Sequence, residues 1–345
     1  MLKLGYLLRL TTSFADDFKS GSGAGITSLD TPTYYAIGDV HGHADALRDL
    51  LKKIKQDIIA RKRSNPSFNP EIVFMGDYVD RGPKSKETLS ILCEELELQK
   101  DDGIKRTVLK GNHDFIFEKF LTAKLPSEIF VMAANLINNG GLCTFAEYNI
   151  FFESKPEQKE SRKCFSVKDI APEFVIDIGQ ALDAQERMLA QIPEKHLKLM
   201  EKMVSSYDSE GFFFCHAGVN NSTSLKEQNE LTILGIKQQT LTRSFSRSAG
   251  HPEKIVVTGH TIVDRIELTR TENGKGGRVS TDTGAFKTGT LSCAVLHNGK
   301  HIRSLKAQTG LPTFEQSFMP TPDCKYPRKS TTNLSQPLDV VGQQV

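Results

Sequence analysis

The chain has 345 residues, with 44 Lys and Arg against 42 Asp and Glu, for a formal net charge of +2. That near balance removes the electrostatic case for nucleic acid or an anionic membrane surface as a partner. The length allows one large core, and the six Cys, at 93, 143, 164, 215, 293 and 324, show no metal-type spacing; this is the usage of a reducing cytosol, so a cytoplasmic location is expected.

Residues 1–30 read as a flexible lead-in. Met1 to Leu10 is apolar but short and interrupted by Lys3 and Arg9, so no stable membrane insertion is expected from it. No Ala-x-Ala cleavage site follows, and Asp16 and Asp17 come soon after, which argues against a signal peptide. An amphipathic association through this segment stays open. Ser20 to Gly25 is rich in Gly and Ser.

A catalytic domain is expected over 31–310. Tyr34-Tyr35-Ala36-Ile37 has the character of an inner strand and runs into Gly38-Asp39-Val40-His41-Gly42. Side chains at i and i+2 of an extended segment point to one side, so Asp39 and His41 can reach one ion. His43 falls in the first turn of the helix that follows, where a structural role is expected. That helix is marked by Leu47, Leu50, Leu51, Ile54 and Ile58 at three- and four-residue spacing. The unit repeats: Ile72 to Met75 leads into Gly76-Asp77-Tyr78-Val79-Asp80-Arg81-Gly82, and a helix with Leu89, Leu92 and Leu96 follows. Arg106 to Leu109 leads into Gly111-Asn112-His113-Asp114.

The stretch 115–207 reads as a helical insertion, with Leu182, Met188 and Leu189 and then Leu197, Met200, Met203 and Val204 as apolar stripes, and Glu153 to Lys163 as an exposed loop. Phe212 to Cys215 then leads into His216-Ala217-Gly218, and Ile255 to Val257 into Thr258-Gly259-His260-Thr261. Arg278 to Asp282, Leu291 to His297 and His301 to Ala307 alternate like antiparallel strands, with Asn298-Gly299 as a hairpin turn. Residues 311–345 are rich in Pro, Thr, Ser and Gln and read as a disordered or loosely attached tail.

Each of these strand ends delivers Asp, Asn or His beside a Gly, and in α/β sheets ligands bind outside the carboxyl ends of strands. A lone Gly-Asp after a strand is an ordinary turn, but five such segments in this order supply six candidate ligands plus His113, Asp80 and Arg81. That is equipment for metal-assisted hydrolysis of a phosphate ester.

The motifs resemble those of the phosphoprotein phosphatases within the calcineurin-like metallophosphoesterases, over about Tyr34 to Phe286. The chain is similar to the bacterial type, through Asp114 after Asn-His, the segment Asn139 to Phe145, and Ile192 to His196 before a helix. The same subgroup includes the symmetrical dinucleoside-tetraphosphate hydrolases. The resemblance implies a two-sheet α/β/β/α sandwich with helices on both outer faces, and a helical cap formed by the insertion. It implies that Asp39 and His41 hold a first metal, that Asp77 bridges both, and that Asn112, His216 and His260 complete the second, with Asn112 also near the phosphate. His113 would protonate the leaving group, Asp80 would orient His113, and Arg81 would grip a phosphate oxygen. A hydroxide bridging the metals would attack phosphorus directly.

The family's second phosphate-binding arginine has no clear counterpart, because the chain has no Trp and lacks the Leu-Trp-containing segment; Arg243 fits by position, with Arg247 as the rival and two solvated arginines as the plain alternative. The donor set suits two Mn²⁺, with Fe or Zn as the other candidates. Expected substrates are phosphoserine and phosphothreonine in phosphoproteins or phosphopeptides. A dinucleoside tetraphosphate is the second reading, and a catalytically inactive binding module the third. Oligomeric state is left open by the sequence.

Overall fold

The computed structural model describes residues 31–152, 176–235, 251, 254–271, 274 and 276–310. Two five-stranded sheets are built from them. The first has the order β10 (Lys300–Gln308), β9 (Thr290–His297), β1 (Thr33–Ile37), β2 (Pro70–Phe74), β3 (Lys105–Val108). The second has the order β4 (Ser206–Asp208), β5 (Phe212–Cys215), β6 (Ile255–Thr258), β8 (Gly277–Ser280), β7 (Leu268–Arg270). Both sheets are mixed: β1, β2 and β3 run parallel while β9 and β10 are antiparallel, and β5, β6 and β8 run parallel between antiparallel β4 and β7.

The alternation of side chains along the strands sorts the core into layers. Tyr34, Ala36, Val73 and Met75 of the first sheet meet Phe212, Phe214, Ile255 and Val257 of the second in one apolar cluster between the sheets. Tyr34 packs edge-on against Phe212 at 5.6 Å between ring centroids. Each such large apolar side chain contributes about 1.5–3 kcal/mol on burial. The other face of the first sheet, with Tyr35, Ile37, Ile72 and Phe74, packs on α1 (Ala44–Ser64) through Leu47, Leu50, Leu51, Ile54 and Ile58, the stripe expected from the sequence. α2 (Ser85–Asp102) adds Leu89 and Leu92 to the same cluster. The outer face of the second sheet holds a smaller cluster of Phe213, Cys215, Val219, Leu225, Ile233 and Val256, covered among the described residues by the short α8 (Glu230–Ile233).

Helices dominate the insertion where it is described, namely α3 (Asn112–Thr122), α4 (Pro126–Asn138), α5 (Leu142–Glu147), α6 (Ile178–Gln191) and α7 (Glu194–Lys202), and its last residues enter β4. Its buried residues join the cluster shared by α1 and α2, so these helices extend the same core. Two local expectations shift. The buried face of α6 is Ala181, Ala184 and Met188, and Leu182 is turned toward solvent. α7 stops at Lys202, and Val204 instead bridges to Leu109 at the end of β3.

Asn298 and Gly299 form the expected two-residue hairpin between β9 and β10, both with positive φ. The segment from Arg278 differs from its expected antiparallel role: β8 pairs parallel with β6, and antiparallel only with β7. The parallel pairing makes it a further strand whose carboxyl end points to the same edge as those of β5 and β6. The short α9 (Ala285–Thr288) follows. No helix among the described residues is long and apolar enough to cross a membrane. The lead-in, the tail, Glu153 to Lys163, Arg243 and Arg247 lie outside the described residues.

Candidate metal centre

The loops after β1, β2, β3, β5 and β6 meet at one edge. Close backbone approach there requires glycine at particular points. A Cβ on Gly111 would fall 2.1 Å from Asp77 Oδ1, and one on Gly259 would fall 2.1 Å from Asp39 Oδ1. Five site residues other than glycine adopt the left-handed region: His41 (φ 44°), Asp77 (56°), Asp80 (70°), Arg81 (68°) and His260 (63°).

Two groups of side chains at this edge have ligand atoms close enough to hold metal ions: His41, Asp77 and His113, and Asp77, His216 and His260. Asp77 belongs to both. Its Oδ1 accepts from the backbone N–H of His113 at 3.0 Å, in the first turn of α3. Its Oδ2 lies 3.5 Å from His41 Nε2, 3.3 Å from His216 Nε2 and 4.0 Å from His113 Nε2. One carboxylate oxygen therefore faces both groups.

The imidazoles are oriented from behind by backbone. His41 Nδ1 donates to the Val79 carbonyl at 2.9 Å, and His216 Nδ1 donates to the Met75 carbonyl at 2.8 Å. Each bond turns Nε2 toward Asp77, the arrangement that fixes a ligating histidine. Asn112 Oδ1 sits 3.1 Å from His216 Nε2 and 2.9 Å from His260 Nδ1. Carboxylate oxygen, amide oxygen and imidazole nitrogen thus converge here, a donor set that suits a cation. Asp39 is 2 % exposed, and its two oxygens accept from the His260 backbone N–H at 3.1 and 3.0 Å.

Charge at the site leans the same way. Burial opposes ionisation of Asp77, but the imidazoles of His216, His113 and His41 outweigh it and hold the carboxyl well below its usual range. Burial, with Asp282 next, pushes Asp39 well above that range. Burial, then the Arg81 guanidinium, keeps His41 well below the ordinary imidazole range. His216 is the exception. Burial disfavours its charge, yet Asp77 and Asp39 raise it to about 10. A proton on His216 balances the carboxylates around it, and a cation bound to this group would take that proton's place.

Proton release follows from that exchange. Loading metal at pH 7.5 should release about one proton from His216, and metal affinity should rise with pH up to about pH 10. Titration calorimetry in buffers of different ionisation enthalpy measures the release. A buffer-independent heat would show that no proton leaves His216 when metal is loaded.

The remaining candidates cluster beside these groups. His113 Nδ1 donates to Asp80 Oδ2 at 2.8 Å, with both residues buried. Arg81 Nη1 donates to His41 Nε2 at 2.8 Å and Nη2 to His113 Nε2 at 2.9 Å, and the guanidinium lies over the Phe286 ring at 4.4 Å. His43 is buried with neither ring nitrogen bonded and lies in neither metal-binding group.

Two residues gain roles that the motifs did not assign. Asp114 Oδ2 accepts from the backbone N–H of Asp77 (2.7 Å) and Gly111 (2.9 Å), and its Oδ1 from Tyr78 (3.0 Å). It locks the second loop to the third. Asp282, at the end of β8, is buried, accepts from Gly284 N–H at 2.7 Å, and lies close enough to raise Asp39. Burial, opposed by that backbone bond, lifts its own carboxyl to about 6. An Asp two residues past a strand was the available signal, hidden by the antiparallel reading of that segment.

A two-sheet α/β fold with paired His/Asp groups sharing one carboxylate defines a metal-dependent phosphoesterase. The chain matches the calcineurin-like phosphoesterase family over residues 32–282, more than half of its length, and belongs to that family. It is 38% identical over 82 residues to a symmetrical bis(5'-nucleosyl)-tetraphosphatase of Janthinobacterium sp. (strain Marseille), a stretch covering 24% of each. It is 33% identical over 90 residues to a Schizosaccharomyces pombe protein provisionally named a serine/threonine-protein phosphatase, covering 26% of this chain and 24% of that one. The chain thus spans about a quarter of the length of these curated relatives. Among solved structures, it is similar to a cold-active protein-tyrosine phosphatase of a Shewanella species, at 16% identity over 80% of each chain with a TM-score of 0.39.

Proposed function

We propose that this chain is a dimetal phosphomonoesterase that dephosphorylates phosphoserine and phosphothreonine in proteins. The carrying observation is the Asp77 carboxylate shared between two ligand groups, with the His113–Asp80 pair directly beside it. In this reading Asp39, His41 and Asp77 hold one ion, and Asp77, Asn112, His216 and His260 hold the other. Bound there, two divalent cations, with Mn²⁺ the best fit to these oxygen and nitrogen donors, would supply charge neutralisation and an activated water.

The protein groups supply the rest. Arg81 offers two parallel N–H donors to the phosphoryl oxygens. A phosphate that takes this fork releases the Nε2 atoms of His41 and His113, which Arg81 otherwise engages. Once free of Arg81, His113 Nε2 can take up a proton from solvent, and His113, held by Asp80, then delivers that proton to the leaving oxygen. Asn112 sits at the head of α3, where the helix end favours negative charge. Arg243, or its rival Arg247, is the proposed second arginine, and Arg243→Ala is the variant that tests it.

The choice of a phosphoprotein rests on the aromatic residues. Among the described residues, Tyr34, Tyr35, Tyr78 and Tyr148 are fully buried, and Phe286 lies at the site edge against Arg81 and His41. Two nucleobases would need stacking surfaces that these buried rings do not offer. The dinucleoside-tetraphosphate reading draws on the Janthinobacterium relative. A hydrolysis panel with Mn²⁺ separates the two: phosphoserine and phosphothreonine peptides are expected to exceed diadenosine tetraphosphate in kcat/KM. Faster cleavage of diadenosine tetraphosphate into two diphosphates would replace the proposal with the second reading.

A further inference from the structure

Among the described residues, the insertion meets the second loop at the turn from Gly140 into α5. There the Arg81 backbone N–H donates to the Gly140 carbonyl at 2.9 Å. Next to it, Thr144, 2 % exposed, meets Asp80 twice. Asp80 N–H donates to Thr144 Oγ1 at 3.0 Å, and Thr144 Oγ1 donates to Asp80 Oδ1 at 2.8 Å. Ser85 Oγ, fully buried on α2, lies 3.0 Å from Thr144 Oγ1 and accepts from Asp80 N–H at 3.1 Å.

The hydrogens in this group can be assigned by counting. A hydroxyl has one hydrogen and two lone pairs, and an ionised carboxylate oxygen only accepts. The Thr144 hydrogen therefore goes to Asp80 Oδ1. The Ser85 hydrogen must then go to Thr144, which completes the hydroxyl's bonding. A one-way chain runs Ser85 to Thr144 to Asp80, while His113 donates to the other carboxylate oxygen.

We propose that Thr144, backed by Ser85, is a positioning residue for proton donation by His113. It holds the Asp80 carboxylate at a fixed angle, as an acceptor on both oxygens, within a left-handed turn that the backbone alone does not favour. The inference rests on reading His113 as the proton donor. Losing the hydroxyl leaves Asp80 Oδ1 buried without a partner, free to turn from His113 or to take its proton. The insertion thereby sets the chemistry of the second loop without touching metal or phosphate.

The test compares Thr144→Val, which keeps shape and removes the hydroxyl, with Thr144→Ser, which keeps the hydroxyl. Each is assayed on phenyl phosphate and on p-nitrophenyl phosphate, whose leaving group needs less protonation. For Thr144→Val, kcat on phenyl phosphate is expected to fall roughly 10- to 100-fold, the scale of a hydrogen bond to a charged group. On p-nitrophenyl phosphate the fall should be under about threefold. Thr144→Ser should restore the wild-type pattern, and metal content should stay constant throughout.

If Thr144→Val does not fold, Ser85→Ala carries the test, with the same selectivity and a smaller loss. Equal losses on both substrates, or none, would overturn the proposal provided that His113→Asn, assayed beside it, discriminates between them. If His113→Asn does not discriminate either, the proton-donor reading has failed, and this inference falls with it.

Discussion

Asp77→Asn is expected to strip the protein of both metals and to lower kcat/KM by about 10³-fold or more, at least ~4 kcal/mol of transition-state stabilisation. The replacement has nearly the same shape, so the effect isolates chemistry. The amide oxygen can keep the bond from His113 N–H, because Asp77 Oδ1 already accepts there. The amide nitrogen then takes the place of Oδ2 and directs N–H donors at His41 Nε2 and His216 Nε2, at 3.5 and 3.3 Å. A negative oxygen facing two ligand groups becomes a positive edge facing them. Asn112→Ala removes one neutral donor from one group and should cost less metal. Elemental analysis of the two purified variants decides the matter. Two metals per chain in Asp77→Asn would sink the shared-carboxylate assignment.

His113→Asn is the second large effect. It should keep both metals and substrate affinity while reducing kcat on esters with basic leaving groups by about 10²- to 10⁴-fold, the usual worth of a positioned proton donor. The loss should shrink on p-nitrophenyl phosphate. Metal content matters here, because His113 also lies within reach of a metal alongside His41 and Asp77. Its Nδ1 is engaged by Asp80, so Nε2 alone could either ligate or donate. Loss of one metal in His113→Asn would make it a ligand, and an equal loss on both ester types would remove it as the acid.

Much of this centre was legible because strand ends announce themselves locally. An apolar run, a glycine and an adjacent Asp, Asn or His place a polar group at a sheet edge, as at Asp39, Asp77 and His216. What could not be read is how those groups are oriented. The carbonyl that aims His216 belongs to Met75, 141 positions away, and the hydroxyl that grips Asp80 belongs to Thr144, 64 positions away. Such contacts leave no periodic trace. Asp282 was missed for a different reason: alternation along residues 278–282 looks the same whether a strand pairs parallel or antiparallel, and only the pairing of β8 with β6 reveals which edge its end faces. Leu182 shows the limit of apolar spacing on α6, where small alanines take the buried face.

The left-handed backbone at His41, Asp77, Asp80, Arg81 and His260 has a consequence for how this enzyme can change. A side chain costs about 1 kcal/mol or more in that region, and glycine does not. Glycine would relieve the backbone at these positions, but at Asp77 and Asp80 it would also abandon the buried hydrogen bonds those carboxylates accept from His113 and Thr144. Of the seven described non-glycine residues in the left-handed region, five lie at this one edge, so the strain of the fold is concentrated where the ligand groups converge.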